Sequence, residues 1–197
     1  MINEAIEFVK QIFAGDGSGH DFDHTMRVYR MALKIAEQEG AAVETVALAA
    51  LLHDVDDRKI SPETCEKKER AVNFLRQHGA NDDLIAQVVE AISEVSFSEG
   101  NGRPSTLEGM CVQDADRLDA IGAIGIARAF AFGGSRNRRM HDPEGLDRSS
   151  TIQHFYDKLL KLKDRMNTAT GKELAAQRDA WLRAFLDEFY AESDGIR

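Results

Sequence analysis

The sequence is short of proline, cysteine and positive charge, and each shortage excludes something. Three prolines in 197 residues leave little to break a backbone hydrogen-bond ladder. The abundant Ala, Leu, Glu, Lys and Arg lose little rotamer freedom in a helix, so a helical chain is expected. The two cysteines, Cys65 and Cys111, show no short metal-type spacing and read as reduced thiols of a cytoplasmic protein. Lys and Arg number 25 against 34 Asp and Glu, a formal net charge of −9. A surface that acidic repels polyanions at long range and excludes general binding along a nucleic-acid backbone, although local basic spots can hold one phosphorylated small molecule. No apolar stretch reaches the ~18 residues of a membrane span. The N-terminal MINEAIEFVKQIFAG carries two acids and one lysine without a basic start or a long apolar run, so it reads as an amphipathic helix and not as a signal peptide.

What is present is helical periodicity almost everywhere, with no convincing strand alternation, internal repeat, linker or low-complexity tract. With 43% hydrophobic residues, the length suits one domain of ~100–200 residues. Helices are expected over 3–14, over 24–38 with Gly40 as the stop, and over 44–54. Another is expected from Ser61-Pro62 to Gly79, then one over 82–95, a long one over 106–132, and two amphipathic helices at the C-terminus. Loops are expected at 15–23, at 96–105 and, exposed, at 133–148. The expected architecture is an all-α bundle: a single domain over 1–197 with its core about 20–130 and C-terminal helices over 150–192.

One helix stands out. ETVALAALLHD, residues 44–54, is apolar nearly all round after Glu44, as a central, buried helix must be. It ends abruptly in His53, Asp54, Asp56 and Asp57. Packing alone gives no reason to finish so greasy a helix with imidazole and carboxylates; meeting a cation does. Mixed imidazole and carboxylate ligands suit a hard or borderline divalent ion, and neighbours on one turn can cover two of its positions. No Gly-rich phosphate loop, Ser-His-Asp order or Cys-His pairing offers a rival chemistry.

His24, then His53-Asp54, then Asp116 within QDADRLDAIGAIGIARAF resembles the H…HD…D signature of the HD-superfamily metal-dependent phosphohydrolases. More narrowly, DADRLDAIGAIGIARAF together with HFYDKLLKLKDRMNT is similar to a bacterial subgroup of small stand-alone HD hydrolases, over almost the whole chain. The resemblance implies a helical HD domain in which His24, His53, Asp54 and Asp116 hold one divalent metal ion. Mn, Fe, Co, Ni, Zn and Mg all remain open. Asp114 and Asp119 are the alternatives to Asp116, each with a structural reading as a cap or salt-bridge partner. Relatives place an acid three positions after the HD aspartate Asp54, which here is Asp57, with Asp56 beside it; it would serve as proton acceptor near the attacking water, against a plain reading as a helix-end charge. A second metal would need further histidines, and His78 alone lies between Asp54 and Asp116.

A phosphohydrolase needs cationic groups for phosphoryl oxygens. Arg27 follows His24 by three residues, Arg117 adjoins Asp116, and Arg136, Arg138 and Arg139 crowd the loop GGSRNRRMHD as a possible phosphate-contacting lid. His20, in the loop before His24, is either a substrate contact or a surface histidine. The function so implied is hydrolysis of a phosphoester or phosphoanhydride, of a nucleotide first, by phosphatase or triphosphate pyrophosphatase action. A catalytically silent HD sensor that binds a nucleotide is the rival, and a plain helical interaction module is the weaker one.

Overall fold

The computed structural model describes residues 1–14, 21–57, 63–64, 66–95 and 102–196. His20, Cys65 and the Ser61-Pro62 pair lie outside the described residues. Every regular element among the described residues is helical: α1 (Ile2–Ile12), α2 (Phe22–Glu39), α3 (Val43–Leu52), α4 (Glu69–Gln77), α5 (Asp82–Ser93), α6 (Leu107–Asp119), α7 (Gly122–Ser135), α8 (Thr151–Asp157) and α9 (Ala169–Ser193), with two 3-10 turns, Leu159–Lys161 and Lys163–Arg165. None of them is long and apolar enough to cross a membrane. The chain divides into two compact units, Met1–Asp116 and Arg117–Arg197.

In the first unit α3 is the central element, packed against α1, α2 and α5. Thr45 through Leu52 are all buried, because a helix with no polar face has no side to give to water. Local chemistry sets the helix ends. Asp21 accepts from the His24 amide at 2.7 Å to open α2, and Asn81 accepts from the Leu84 amide to open α5. Gly40 closes α2 at φ 77°, in the left-handed region that glycine enters without a Cβ penalty. Glu108 of α6 accepts from the Ala42 amide at the start of α3. Gln113 reaches from α6 to the Glu94 carbonyl at the end of α5, and at Gly109 an added Cβ would stand 3.1 Å from the Ala91 carbonyl oxygen. Cys111 is buried on α6, and that burial pushes its thiol up to about 12, which makes it inert.

In the second unit α9 packs on α7. Phe130, Phe155, Phe185 and Phe189 form its aromatic core, with ring centroids 5.7–6.4 Å apart. Asp179 of α9 takes Lys163 and Arg183 at 3.2 and 2.8 Å. Burial opposes ionisation of Asp179, but the two cations hold its carboxyl below the usual range.

The structure differs from sequence expectation at three helices. The stretch 106–132 is broken at Ala120-Ile121, because Gly122 opens α7 at φ 74° and the chain turns there. α7 then continues to Ser135, three residues into the expected loop. The first of the two expected C-terminal helices stops at Asp157. Leu159 opens the first 3-10 turn and Leu162 stands between the two, both buried and three residues apart, a spacing that brings them to one side. α4 begins at Glu69, late in the segment expected to be helical from residue 61.

Candidate metal centre

α3 delivers its polar end by running out. After Leu52 the chain turns through residues 53–56, with the Val55 amide on the Leu52 carbonyl and the Asp57 amide on the Asp54 carbonyl. His53 Nδ1 lies 2.8 Å from the Ala50 carbonyl oxygen. A carbonyl only accepts, so Nδ1 donates and Nε2 is turned to the site. His24 comes from the first turn of α2 and Asp116 from the last turn of α6.

The donor atoms converge. His24 Nε2 stands 3.5 Å from Asp54 Oδ2 and 3.5 Å from Asp116 Oδ1, while His53 Nε2 stands 3.2 Å from Asp54 Oδ2. One ligand atom each of His24, His53 and Asp54 fits within a 4.8 Å span. Donors bonded at ~2.1 Å to one ion stand ~3–3.4 Å apart, so the spacing is close to that of ligands around a small divalent cation. The imidazoles are sunk, with side chains 1% and 2% exposed, whereas Asp54 and Asp116 are 13% and 31% exposed. The site therefore opens on its carboxylate side.

His53 Nε2 is buried and, among the described residues, makes no hydrogen bond of ordinary geometry, a cost the fold tolerates where a ligand completes the atom. Burial alone would lower the His53 imidazole. The charge of Asp54 and its contact with the ring, then the charge of Asp116, outweigh burial and raise it to about 9. The field that draws a proton to this nitrogen is the field that draws a cation. Two imidazole nitrogens and the Asp54 carboxylate thus fit one divalent ion on geometry, donor chemistry and charge, while Asp116 stands 3.5 Å from His24 but outside that 4.8 Å group.

The other candidates lie as follows. Asp57 is half-buried on the same turn as Asp54. Asp56, beside it, is wholly buried and turned elsewhere: it accepts from the Arg70 and Ala71 amides at 3.2 and 3.0 Å, at the start of α4. Arg27 is half-buried, one turn after His24 on α2. Asp114 is buried. Asp119 pairs with Arg128 at 2.7 Å, which makes it a structural salt-bridge partner. His78 stacks on Phe74 and faces its carbonyl, at the far end of α4 from the Asp56 contact.

The remaining arginines belong to the second unit. Arg117 is buried and donates through Nη1 to the Arg165 carbonyl. The guanidinium carbons of Arg136 and Arg138 lie 5.5 and 5.3 Å from the Phe132 ring centroid. Arg139 pairs with Asp142 at 3.0 Å.

The HD domain model matches residues 21–121, a span that holds all four donors. A curated relative, the uncharacterized protein YpgQ of Bacillus subtilis, is 38% identical over 96% of this chain and 92% of its own length. The crystal structure of YpgQ in complex with ADP superposes with a TM-score of 0.84, at 35% identity and full coverage of both chains. The crystal structure of an HD-superfamily hydrolase from Bacillus thuringiensis superposes with a TM-score of 0.84, at 40% identity over 98% of this chain and 96% of that one. A His-Asp pair at the end of an apolar helix, matched by a family model over half the chain and by relatives over nearly all of it, makes this chain a member of the HD superfamily.

Proposed function

We propose that this chain is a metal-dependent phosphohydrolase whose substrate is a phosphorylated small molecule, a nucleotide in the first place. The observation that carries the reading is the meeting of two sunk imidazoles with two partly open carboxylates at 3.2–3.5 Å. His24, His53, Asp54 and Asp116 would hold one divalent ion, and mixed nitrogen and oxygen donors suit Mn, Fe, Co, Ni or Zn, with Mg admissible. When bound, such an ion polarises a phosphoryl oxygen and makes water more acidic.

The protein's own part follows from position. The Ala50 carbonyl orients the His53 ring, and the Asp21 cap fixes the backbone that carries His24. Asp57, on the Asp54 turn, accepts the proton of the attacking water. Arg27, one turn beyond His24, offers a fork of donors to the charge on the phosphoryl group. Arg117, Arg136, Arg138 and Arg139 are further cationic candidates, although each already has a partner within the second unit. The support for a nucleotide is the ADP complex of YpgQ. Water adds to phosphorus and a P–O bond breaks. An ester yields phosphate and an alcohol; the α–β anhydride of a triphosphate yields pyrophosphate and a monophosphate.

The test is release of phosphate and of pyrophosphate from nucleoside mono-, di- and triphosphates with Mn, Mg, Co and Ni. Wild type runs beside a folded His53→Ala, Asp54→Ala double variant. Metal-dependent release that the double variant loses is the expected result, and the product names the bond cut. No release by folded, metal-loaded protein would move the assignment to a sensor that binds nucleotide without turnover.

A further inference from the structure

Among the described residues Asp21, Asn81, Thr106, Ser150 and Thr168 each accept an amide three residues on, opening α2, α5, α6, α8 and α9. α4 is capped from further away. Lys68 holds its N-cap position at φ 50° without capping the helix through its side chain, in a left-handed conformation that costs a non-glycine residue ~1 kcal/mol or more. The cap comes instead from Asp56, fourteen and fifteen residues earlier, whose two carboxylate oxygens take the Arg70 and Ala71 amides. A carboxylate at 0% exposure is costly unless such donors and the positive end of a helix compensate it. That cost is incurred on the turn that carries His53, Asp54 and Asp57.

We infer that Asp56 is a positioning residue for the metal centre: by capping α4 from a distance it clamps the 53–57 turn, and so holds Asp54 where it meets His24 and His53. The inference rests on the metal-centre reading above. The turn has two ties of this kind. The His53 ring is bonded back to Ala50 at its start, and Asp56 bonds forward to α4 near its end. Asp54 lies between the two. Its Oδ2 is 3.2 Å from one imidazole nitrogen and 3.5 Å from the other, so a displacement of ~1 Å would spoil both approaches. α4 is itself anchored, since Phe74 stacks on Phe8 of α1 at 4.8 Å. The clamp therefore connects the metal turn to a fixed part of the first unit.

The experiment titrates Mn2+ into metal-stripped, full-length protein, reading free ion by electron paramagnetic resonance, with thermal unfolding by circular dichroism alongside. Asp56→Ala removes both acceptors. Asp56→Asn keeps one and replaces the other with a donor, and it carries the comparison if the alanine variant does not fold. Arg76→Gly is the control: Arg76 is exposed on α4, and glycine there weakens the helix by ~1 kcal/mol without touching the cap. Expected is a loss of Mn2+ affinity of about tenfold in Asp56→Ala and less in Asp56→Asn, with Arg76→Gly within about twofold of wild type. Equal affinity in Asp56→Ala and wild type, or an equal loss in Arg76→Gly at matched melting temperature, would reduce Asp56 to a helix cap and overturn the inference. The metal-centre reading fails separately, and this inference with it, if wild type binds no Mn2+ or if the His53→Ala, Asp54→Ala variant binds it as tightly.

Discussion

The Nδ1 nitrogen of His53 stands 2.8 Å from the carbonyl oxygen of Ala50, and this contact commits the opposite nitrogen to the carboxylates. A ring free to flip would present either nitrogen, whereas this ring presents Nε2 alone. The buried Nε2 then has two claimants, a proton and a cation, and pH decides between them.

Without metal, the charges of Asp54 and Asp116 overcome the opposing effect of burial and raise the His53 imidazole to about 9, against an ordinary value of ~6.5. A raised value means that the folded, metal-free protein holds the proton more tightly than the unfolded chain does. Its contribution to stability is complete below ~6.5 and disappears as pH rises through about 9. Metal must displace that proton, so apparent metal affinity should climb by up to about tenfold per pH unit below 9 and then level off. Melting curves with and without Mn2+ between pH 6.5 and 9.5 check both halves. The metal-free melting temperature falls across that range, and the gap to the metal-loaded protein widens.

Asp116 and Asp119 sit three residues apart on α6 and should fail in different ways. Asp116 is partly open and faces His24, so Asp116→Asn should lower Mn2+ affinity by at least about tenfold while leaving the metal-free melting temperature nearly unchanged. Asp119 is buried against Arg128. Asp119→Ala removes the ion pair and leaves Arg128 its bond to the carbonyl of residue 119, which should cost ~2 kcal/mol in urea denaturation, with metal affinity kept. If the two phenotypes were exchanged, Asp119 would be the ligand.

This pair shows where the sequence was legible. The helical bundle followed from composition and period, and the His53-Asp54 pair stood out because its apolar helix had no packing reason to end in charge. Asp119 could be read only as an alternative, since its partner Arg128 lies nine residues on, beyond the turn at Ala120-Ile121 that periodicity had bridged. Asp56 looked like one more acid beside the site. Its partners are two backbone amides fourteen and fifteen residues away, and backbone donors leave no mark in a sequence. The break at Asp157 was hidden for a similar reason: Ile152, Phe155, Leu159 and Leu162 are buried at spacings that an α-helix and 3-10 turns satisfy equally well.

The loop after α7 is organised around one carboxylate. Asp142 accepts from the Leu146 and Asp147 amides at 2.8 and 2.7 Å, and from Arg139. The bond from the Asp147 amide, with help from the Leu146 amide and Arg139, holds its carboxyl below the usual range against the opposing effect of burial. A lowered carboxyl stabilises the fold above its unfolded value of ~3.9, and that contribution is lost as pH falls through the lower folded value. Asp142→Ala should therefore speed hydrogen exchange at the Leu146 and Asp147 amides at neutral pH, with little change in global melting. Wild type should retain that protection at pH 4 and lose it only in stronger acid.

Two glycines of α7 should respond in opposite ways to alanine. At Gly125 an added Cβ would stand 2.3 Å from the Ala120 carbonyl oxygen and 2.4 Å from its carbon. This is a backbone neighbour that cannot swing aside, because the chain has just turned at Ala120-Ile121. Gly125→Ala should cost ~3 kcal/mol or more, since relief requires moving the turn that ends α6. At Gly134, near the end of the same helix, an added Cβ meets nothing within 4 Å. Alanine there restricts the unfolded chain and should be neutral or stabilising by ~0.5 kcal/mol. Paired urea titrations of the two variants read both effects. A harmless Gly125→Ala would mean that the turn at Ala120-Ile121 can yield, whereas a costly one locates the break between α6 and α7 in that single close approach.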